Sequence, residues 1–439
     1  MMKLFKSIDL KTIFIFALII QTITFSLIVY VRRDNLLYAD FAFYEDAAWN
    51  LAAGKGLTHS RIFWDDPYLT NLYFRTHPET ADGEYLPATT MPIGYSIFLA
   101  GVYSIFGRNL LVAVFANLLL LHCFLIIAFL LTKKAFGESL EAKITWLLIA
   151  VFPFWAHWAT TVGGDILHTA LLALFAFLFF RTDNKFWYLL LSGTTLGLAS
   201  VVRPYSILLP VALLIGGFVF RNPAFTLRKV GTIALICWLF VGMWAARNYY
   251  YFGKPMLTSI GLGYSLWLAT YKDVFQDAVS WQVIEDRLTE QGVKDFHFHN
   301  DNEKLLAVAI ERVKTEPLKF AATTLASAAR LWIPVGGENM PAPAKFLLIS
   351  YFLFVFALML VGIWLSRKRS NPILVGGIIL ICYYTAFFMP LSMESRYTLP
   401  VRFFSFLFVS IAISYLFRLL FFPKDLALQS ENTYVNNTV

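Results

Sequence analysis

Six charged residues stand apart in this chain: Asp40, Asp165, Arg203, Arg247, Glu394 and Arg396 each lie beside an apolar run, close to where it begins or ends. Asp40 sits in Tyr38-Ala39-Asp40-Phe41-Ala42-Phe43-Tyr44. A carboxylate shielded by aromatic rings at a membrane–water boundary gains a raised pKa and can take a proton as a general base. The competing reading is a helix cap, since Asp is favoured at that position. Glu45 and Asp46 follow on the same helix, turned away from Asp40, and are expected to be solvated. Asp165 follows Gly163-Gly164 at the head of another run. The helix dipole favours it there, yet a charge inside a span costs about 2.5–3.5 kcal/mol even on lenient insertion scales. His157 and His168 lie near the same depth, so a metal trio with Asp165 stands against hydrogen-bonded core histidines. His297-Phe298-His299 has a weak metal-like spacing and reads more simply as a solvated loop.

The arginines point to an anion. Arg203-Pro204 joins two runs, Arg247-Asn248 ends another, and Arg396 stands in Glu394-Ser395-Arg396-Tyr397 with Arg402 close behind. One such arginine is a snorkelling anchor. Several at one membrane face, where positive charge is disfavoured, are better explained by a phosphate, which arginine binds bidentately and at any working pH. A base plus several arginines suits transfer from a lipid phosphate: the phosphate is already a good leaving group, and the cations stabilise its growing charge.

The elements that must position these groups are membrane helices. Of 439 residues 58% are hydrophobic and only 15% charged, with mean hydropathy +0.63. Soluble domains carry about 25% charged residues. About 20 apolar residues cross the hydrocarbon core, and the runs near 11–31, 109–131, 143–161, 164–181, 186–202, 204–220, 230–246, 344–365, 372–391 and 399–421 approach or reach that length. Lysines and arginines crowd alternate gaps: Lys3, Lys6 and Lys11; Lys133, Lys134 and Lys143; Arg181 and Lys185; Arg221, Arg228 and Lys229; Arg367, Lys368 and Arg369; Arg418 and Lys424. By the positive-inside rule these gaps and both termini are cytoplasmic. The net charge of +8 comes mostly from them, so it speaks for topology and against nucleic-acid binding. Cys123, Cys237 and Cys382 all lie in apolar runs, which excludes a disulfide framework. The first run is too long, and too poor in a cleavage site, for a signal peptide.

Two outer segments remain, near 32–91 and 248–343. The first opens with helix-like composition over Ala42 to Ala53 and closes it with Gly54-Lys55-Gly56. The second carries Tyr249-Tyr250-Tyr251, a Gly261-Leu262-Gly263 break and an amphipathic stretch from Trp281 to Lys314. Pro92–Phe106 and Lys319–Ile333 are surface helices, re-entrant segments or tilted spans; the charge alternation requires that neither or both cross. Residues 426–439 read as a disordered cytoplasmic tail behind a single membrane domain, 1–425.

Ordered motifs then give a resemblance. Asp40-Phe41-Ala42-Phe43-Tyr44 with the following helix and glycine, Met91-Pro92-Ile93-Gly94-Tyr95-Ser96, Gly164-Asp165, Arg203-Pro204, Trp244-Ala245-Ala246-Arg247-Asn248 and Glu394-Ser395-Arg396-Tyr397 occur in order. Together they resemble the glycosyltransferase C superfamily, in the branch of protein O-mannosyltransferases and the lipid A aminoarabinose transferase. The resemblance implies an all-α polytopic bundle of about 10–12 transmembrane helices with two structured extracytoplasmic loops. It implies an inverting transferase in the inner membrane that moves a sugar from a polyprenyl-phosphate donor to an acceptor it does not identify. Asp40 matches the catalytic aspartate, although Phe41 stands where glutamate commonly follows. Tyr44, Glu84, Asp165, Arg203, Arg247, Arg396 and Tyr397 are the expected substrate-binding residues. The resemblance names no certain cofactor, and a divalent metal is left open. The rivals are a polymerase or ligase using a diphosphate-linked oligosaccharide, and a secondary transporter; the latter lacks midplane charges and inverted-repeat symmetry.

Overall fold

The computed structural model describes residues 8–421 except 34, 38–39, 61–72, 76, 78–83, 90, 182–184, 255, 258–261, 272–280, 291, 293–301, 335–339, 368 and 392–393. The expected tail and the His297–His299 pair lie outside the described residues. The first apolar run folds as α1 (Leu10–Arg32), and the outer segment after it opens with α2 (Phe41–Ala52). Two short strands follow, β1 (Thr58–Ser60) and β2 (Tyr85–Pro87), paired antiparallel with His59 opposite Leu86. Then come α3 (Gly94–Phe106), α4 (Leu110–Phe136), α5 (Leu140–Val151), α6 (Phe154–Ala159), α7 (Asp165–Phe179) and α8 (Phe186–Val202). A 3-10 turn at Pro204–Ser206 leads into α9 (Leu209–Phe220) and α10 (Leu227–Phe252).

The second outer segment holds α11 (Leu262–Tyr271), α12 (Trp281–Glu290), α13 (Asn302–Thr315) and α14 (Pro317–Trp332). The chain returns through α15 (Ala342–Ser366), α16 (Pro372–Phe388), a 3-10 turn at Ser395–Thr398 and α17 (Arg402–Phe421). Asn109, Ser139, Thr226 and Asn371 cap their helices by accepting from backbone N–H groups two or three residues on, which satisfies donors that the helix geometry leaves orphaned.

Among the described residues, five helices are long and apolar enough to cross a membrane: α1, α4, α10, α15 and α17, the last extended by its 3-10 turn. Shorter apolar helices stand beside them, including α3, α7, α8 and α16. The chain is an all-α integral membrane protein. Both undecided segments are helices. The 13 residues of α3 rise about 20 Å at 1.5 Å per residue, short of the ~30 Å core.

The run expected as one span at 143–161 is broken. It folds as α5 and α6 with Phe152 extended between them, because Pro153 disfavours helical backbone at the residue before it. Gln21 of α1 covers the break, its amide donating to the carbonyls of Ile149 at 2.7 Å and Phe152 at 2.9 Å.

Aromatic packing fills the centre, where Trp146, Trp155, Tyr95, Tyr384, Phe124 and Phe152 are fully buried. Arg402 at the head of α17 ties the outer segment to this core. Its guanidinium donates to the Leu331 carbonyl at 2.9 Å, at the end of α14, and the Phe152, Phe154, Trp332 and Phe352 rings surround it at 5.2–5.9 Å. This arginine is therefore a structural clamp. The outer helices α11, α12 and α13 share a small core of their own around Trp267, Leu288 and Leu305.

Candidate active site

α7 and α8 bring Asp165 and Arg203 to the same end of the bundle, where Arg203 Nη2 donates to Asp165 Oδ1 at 2.8 Å. Both side chains are nearly buried, at 2% and 11% exposure for Asp165 and Arg203. Two atoms of the pair, Asp165 Oδ2 and Arg203 Nε, are buried without a partner. Buried polar atoms are nearly always satisfied by protein or ordered water, so these two leave hydrogen-bonding capacity that a water or a ligand can take up.

Tyr44 of α2 lies under the Arg203 guanidinium, 5.9 Å from cation to ring, and its buried hydroxyl also lacks a partner. Burial raises the Tyr44 pKa; Arg203 opposes this, while Asp165, Tyr397 and Asp40 add to it. Charge on all four residues is thus felt at one hydroxyl. Arg396 completes the group, packed on the Phe41, Trp158 and Tyr397 rings at 5.2–5.8 Å with Nε 3.1 Å from Glu394 Oε2.

Asp40 stands at the edge of this cluster, exposed and immediately before α2. It does not cap the helix. Its backbone is already helical, at φ −57° and ψ −20°, and its side chain makes no cap hydrogen bond. The expected aromatic shielding is also absent from the described residues. Tyr264 of the outer segment feels the Asp40 charge: burial first, and Asp40 second, push its pKa up to about 12.

Glu45 and Asp46 are not solvated, contrary to expectation. Glu45 takes a bidentate pair from Arg108 at 2.8 and 2.6 Å and a bond from the Tyr103 hydroxyl at 3.2 Å. Asp46 accepts from Ser60 N at 2.8 Å and Ser60 Oγ at 2.6 Å, with His59 Nδ1 at 3.3 Å. Burial pushes the Asp46 carboxyl up, but the bonds from His59 and Ser60 outweigh it and hold the group below its ordinary value. These two carboxylates fasten α2 to its surroundings.

Arg247 lies elsewhere, on the rim of a cavity of about 840 Å³. Leu167, Leu171, Leu198, Phe240 and Met243 line this groove along α7, α8 and α10, and Lys55, Tyr73, Tyr85, Arg247 and Tyr251 line it from the first outer segment and the end of α10. Arg247 donates to the carbonyls of Ala88 at 2.8 Å and Leu57 at 3.0 Å and packs on Trp244 and Tyr251, both at 4.7 Å. Lys55 lies in a turn between Gly54 and Gly56, both at positive φ, and bonds the Tyr85 hydroxyl. It belongs with the candidate residues, although the sequence reading passed over it.

Groove and charged cluster meet at one seam. Val202 lines the groove and precedes Arg203, and α3 crosses α8 so closely that a Cβ on Gly94 would lie 2.8 Å from the Val202 backbone nitrogen. Glu84 stays outside both, exposed at the head of β2. No group of three histidines, cysteines or acids able to hold a metal occurs among the described residues. His168 instead bonds the Ser206 hydroxyl at 2.8 Å, and His157 packs beside Trp158 at 5.3 Å.

The family model described as dolichyl-phosphate-mannose-protein mannosyltransferase matches residues 90–262. Among solved structures, the oligosaccharyltransferase AglB of Archaeoglobus fulgidus, in complex with an inhibitory peptide and a dolichol-phosphate, superposes with TM-score 0.51 at 16% identity. That superposition covers 93% of this chain and 51% of AglB, so the chain spans about half the length of this neighbour. ArnT of Cupriavidus metallidurans gives TM-score 0.37 at 14% identity over 88% of this chain and 76% of its own, too low to carry an argument. ATP synthase subunit a of Acinetobacter baumannii is 30% identical over 139 residues. That match takes in 27% of this chain and 46% of the other, and carries nothing about fold or activity. The bundle shares its fold with AglB, and residues 90–262 match the mannosyltransferase family model; both likenesses agree with the resemblance to the glycosyltransferase C superfamily that the motifs gave.

Proposed function

We propose that the chain transfers a sugar from a polyprenyl-phosphate donor to an acceptor at the extracytoplasmic membrane face, by a single inverting displacement. The acceptor hydroxyl or amine attacks the anomeric carbon as the bond to the phosphate oxygen breaks. The acceptor proton passes to Asp40, and the electron pair leaves with the polyprenyl phosphate. The prenyl chain lies in the 840 Å³ groove, its phosphate at the rim beside Lys55 and Arg247. Arg203 and Arg396, held by Asp165 and Glu394, add to the positive field that stabilises the charge growing on that phosphate, and Tyr44 and Tyr397 shape the sugar pocket.

One observation carries this reading: a groove that is apolar along the membrane helices and cationic and aromatic at its outer-segment end adjoins, across a single residue, a charged cluster with unsatisfied buried atoms. Transfer of oligosaccharide from a diphosphate carrier is the rival on the same fold, and the mass added to the acceptor separates the two. The test uses purified protein in lipid with a polyprenyl-phosphate sugar. Asp40→Asn should reduce turnover by about 10²–10⁴-fold, the usual worth of a general base, with expression and thermal stability unchanged. Turnover equal to wild type removes Asp40 from the mechanism.

A further inference from the structure

At the end of the bundle opposite Asp165, Arg203 and Arg247, the C-terminus of α7 meets the first turns of α8 and α10. A second cavity of about 290 Å³ opens there, between Phe186, Leu189, Thr226, Arg228, Lys229 and Thr232. Its polar lining consists of two cations and two hydroxyls. Arg228 is exposed and Lys229 is 7% exposed. Neither has a carboxylate partner among the described residues.

Lys229 Nζ donates to the Phe179 carbonyl, and Lys134 Nζ donates to the adjacent Phe180 carbonyl at 2.6 Å. Two ammonium groups therefore sit side by side against the end of α7. Thr226 caps α10 by accepting from Lys229 N, which leaves its hydroxyl proton to give. The first amides of α8 have no side-chain cap, since Lys185 supplies none. Cations, a free hydroxyl proton and two helix N-termini converge on a space with no negative charge among its described lining residues, an arrangement that favours an anion. The remaining wall is apolar, and Trp187, 68% exposed, stands beside it, in the manner of the aromatic side chains that settle at lipid headgroup level.

We propose that this cavity binds the phosphate of an anionic phospholipid in the leaflet opposite the candidate active site. Basic pockets between membrane helices hold such headgroups. The apolar wall and Trp187 favour a lipid over a soluble anion. The site shares no residue with the transferase reading and stands whether or not that reading survives.

The test takes the full chain, delipidated in neutral detergent, and adds a short-chain phosphatidylglycerol, the matching phosphatidylcholine, or inorganic phosphate. Native mass spectrometry reads bound lipid, and thermal unfolding reads stabilisation. Phosphatidylglycerol should be retained and phosphatidylcholine not. Arg228→Gln, an exposed position that folding tolerates, should weaken retention about fivefold, the effect of one basic residue at an anionic surface. Arg228→Lys should restore most of it. Equal retention of phosphatidylglycerol by Arg228→Gln and wild type overturns the proposal, as does a stabilisation by inorganic phosphate equal to that of the lipid.

Discussion

Asp165 and Arg203 are bonded to each other, yet each keeps a buried atom without a partner. Removing one member of a buried ion pair costs about 3–5 kcal/mol, because the other charge stays behind in a poor environment. Asp165→Ala should therefore lower the thermal midpoint in detergent far more than Asp40→Asn does. Each residue was conspicuous in the sequence as a charge beside an apolar run. Their pairing was not, since 38 positions separate them and nothing local specifies which helix ends meet.

Asp46 shows the opposite failure. Read as a solvated helix residue, it is the hub that holds β1 against α2. Its folded pKa lies below the ordinary carboxylate value, so its contribution is complete above about pH 4 and is lost as pH falls through the lowered value. The acid limb of a stability–pH profile should flatten in Asp46→Asn, with a lower plateau at neutral pH. Lys55 was missed although the reasoning applied to the outer arginines covers it: a cation where positive charge is disfavoured.

Among the elements, α3 and α8 decide whether groove and cluster stay adjacent. Any side chain at Gly94 meets the backbone of Val202. Gly94→Ala should cost about 1–3 kcal/mol through overpacking and should also depress turnover, because the displaced helix carries groove residues. A donor titration would show a raised KM. Apolar period and charge were enough to foresee most helices, and α2 was foreseen to within a residue or so of its observed ends. The α5–α6 break was hidden inside a continuous apolar run, with Pro153 its sole local sign. The amphipathic stretch from Trp281 to Lys314 holds two described helices, α12 and α13, which its continuous pattern did not tell apart.

At the scale of the molecule, the alternation of basic gaps predicts the orientation. If both termini are cytoplasmic, a fluorescent reporter that matures only in the cytoplasm should glow when fused after Val439, and a periplasm-dependent phosphatase there should stay inactive. Dark reporter and active phosphatase would reverse the topology and move the Asp40 cluster to the other side. Composition fixed the membrane class early, since too few charges remain to cover a water-soluble surface. The groove could not be foreseen in the same way. Its walls come from four helices, α3, α7, α8 and α10, with both short strands and the segments beside them, and the apolar residues that line it look, in one dimension, like any others that face lipid.

Gln21 carries an implication for how the protein is made. Carbonyl groups left bare in hydrocarbon cost several kcal/mol each, and those at Ile149 and Phe152 are met by an amide 128 and 131 residues upstream. The helix bearing that amide leaves the ribosome first, so it is already resident in the bilayer when the interrupted segment arrives and can accept it at once. Gln21→Leu would deprive the newcomer of that reception. Its mark should be slow or incomplete burial during biosynthesis, read as protease sensitivity in nascent chains, beyond any loss of stability in molecules that finish assembly.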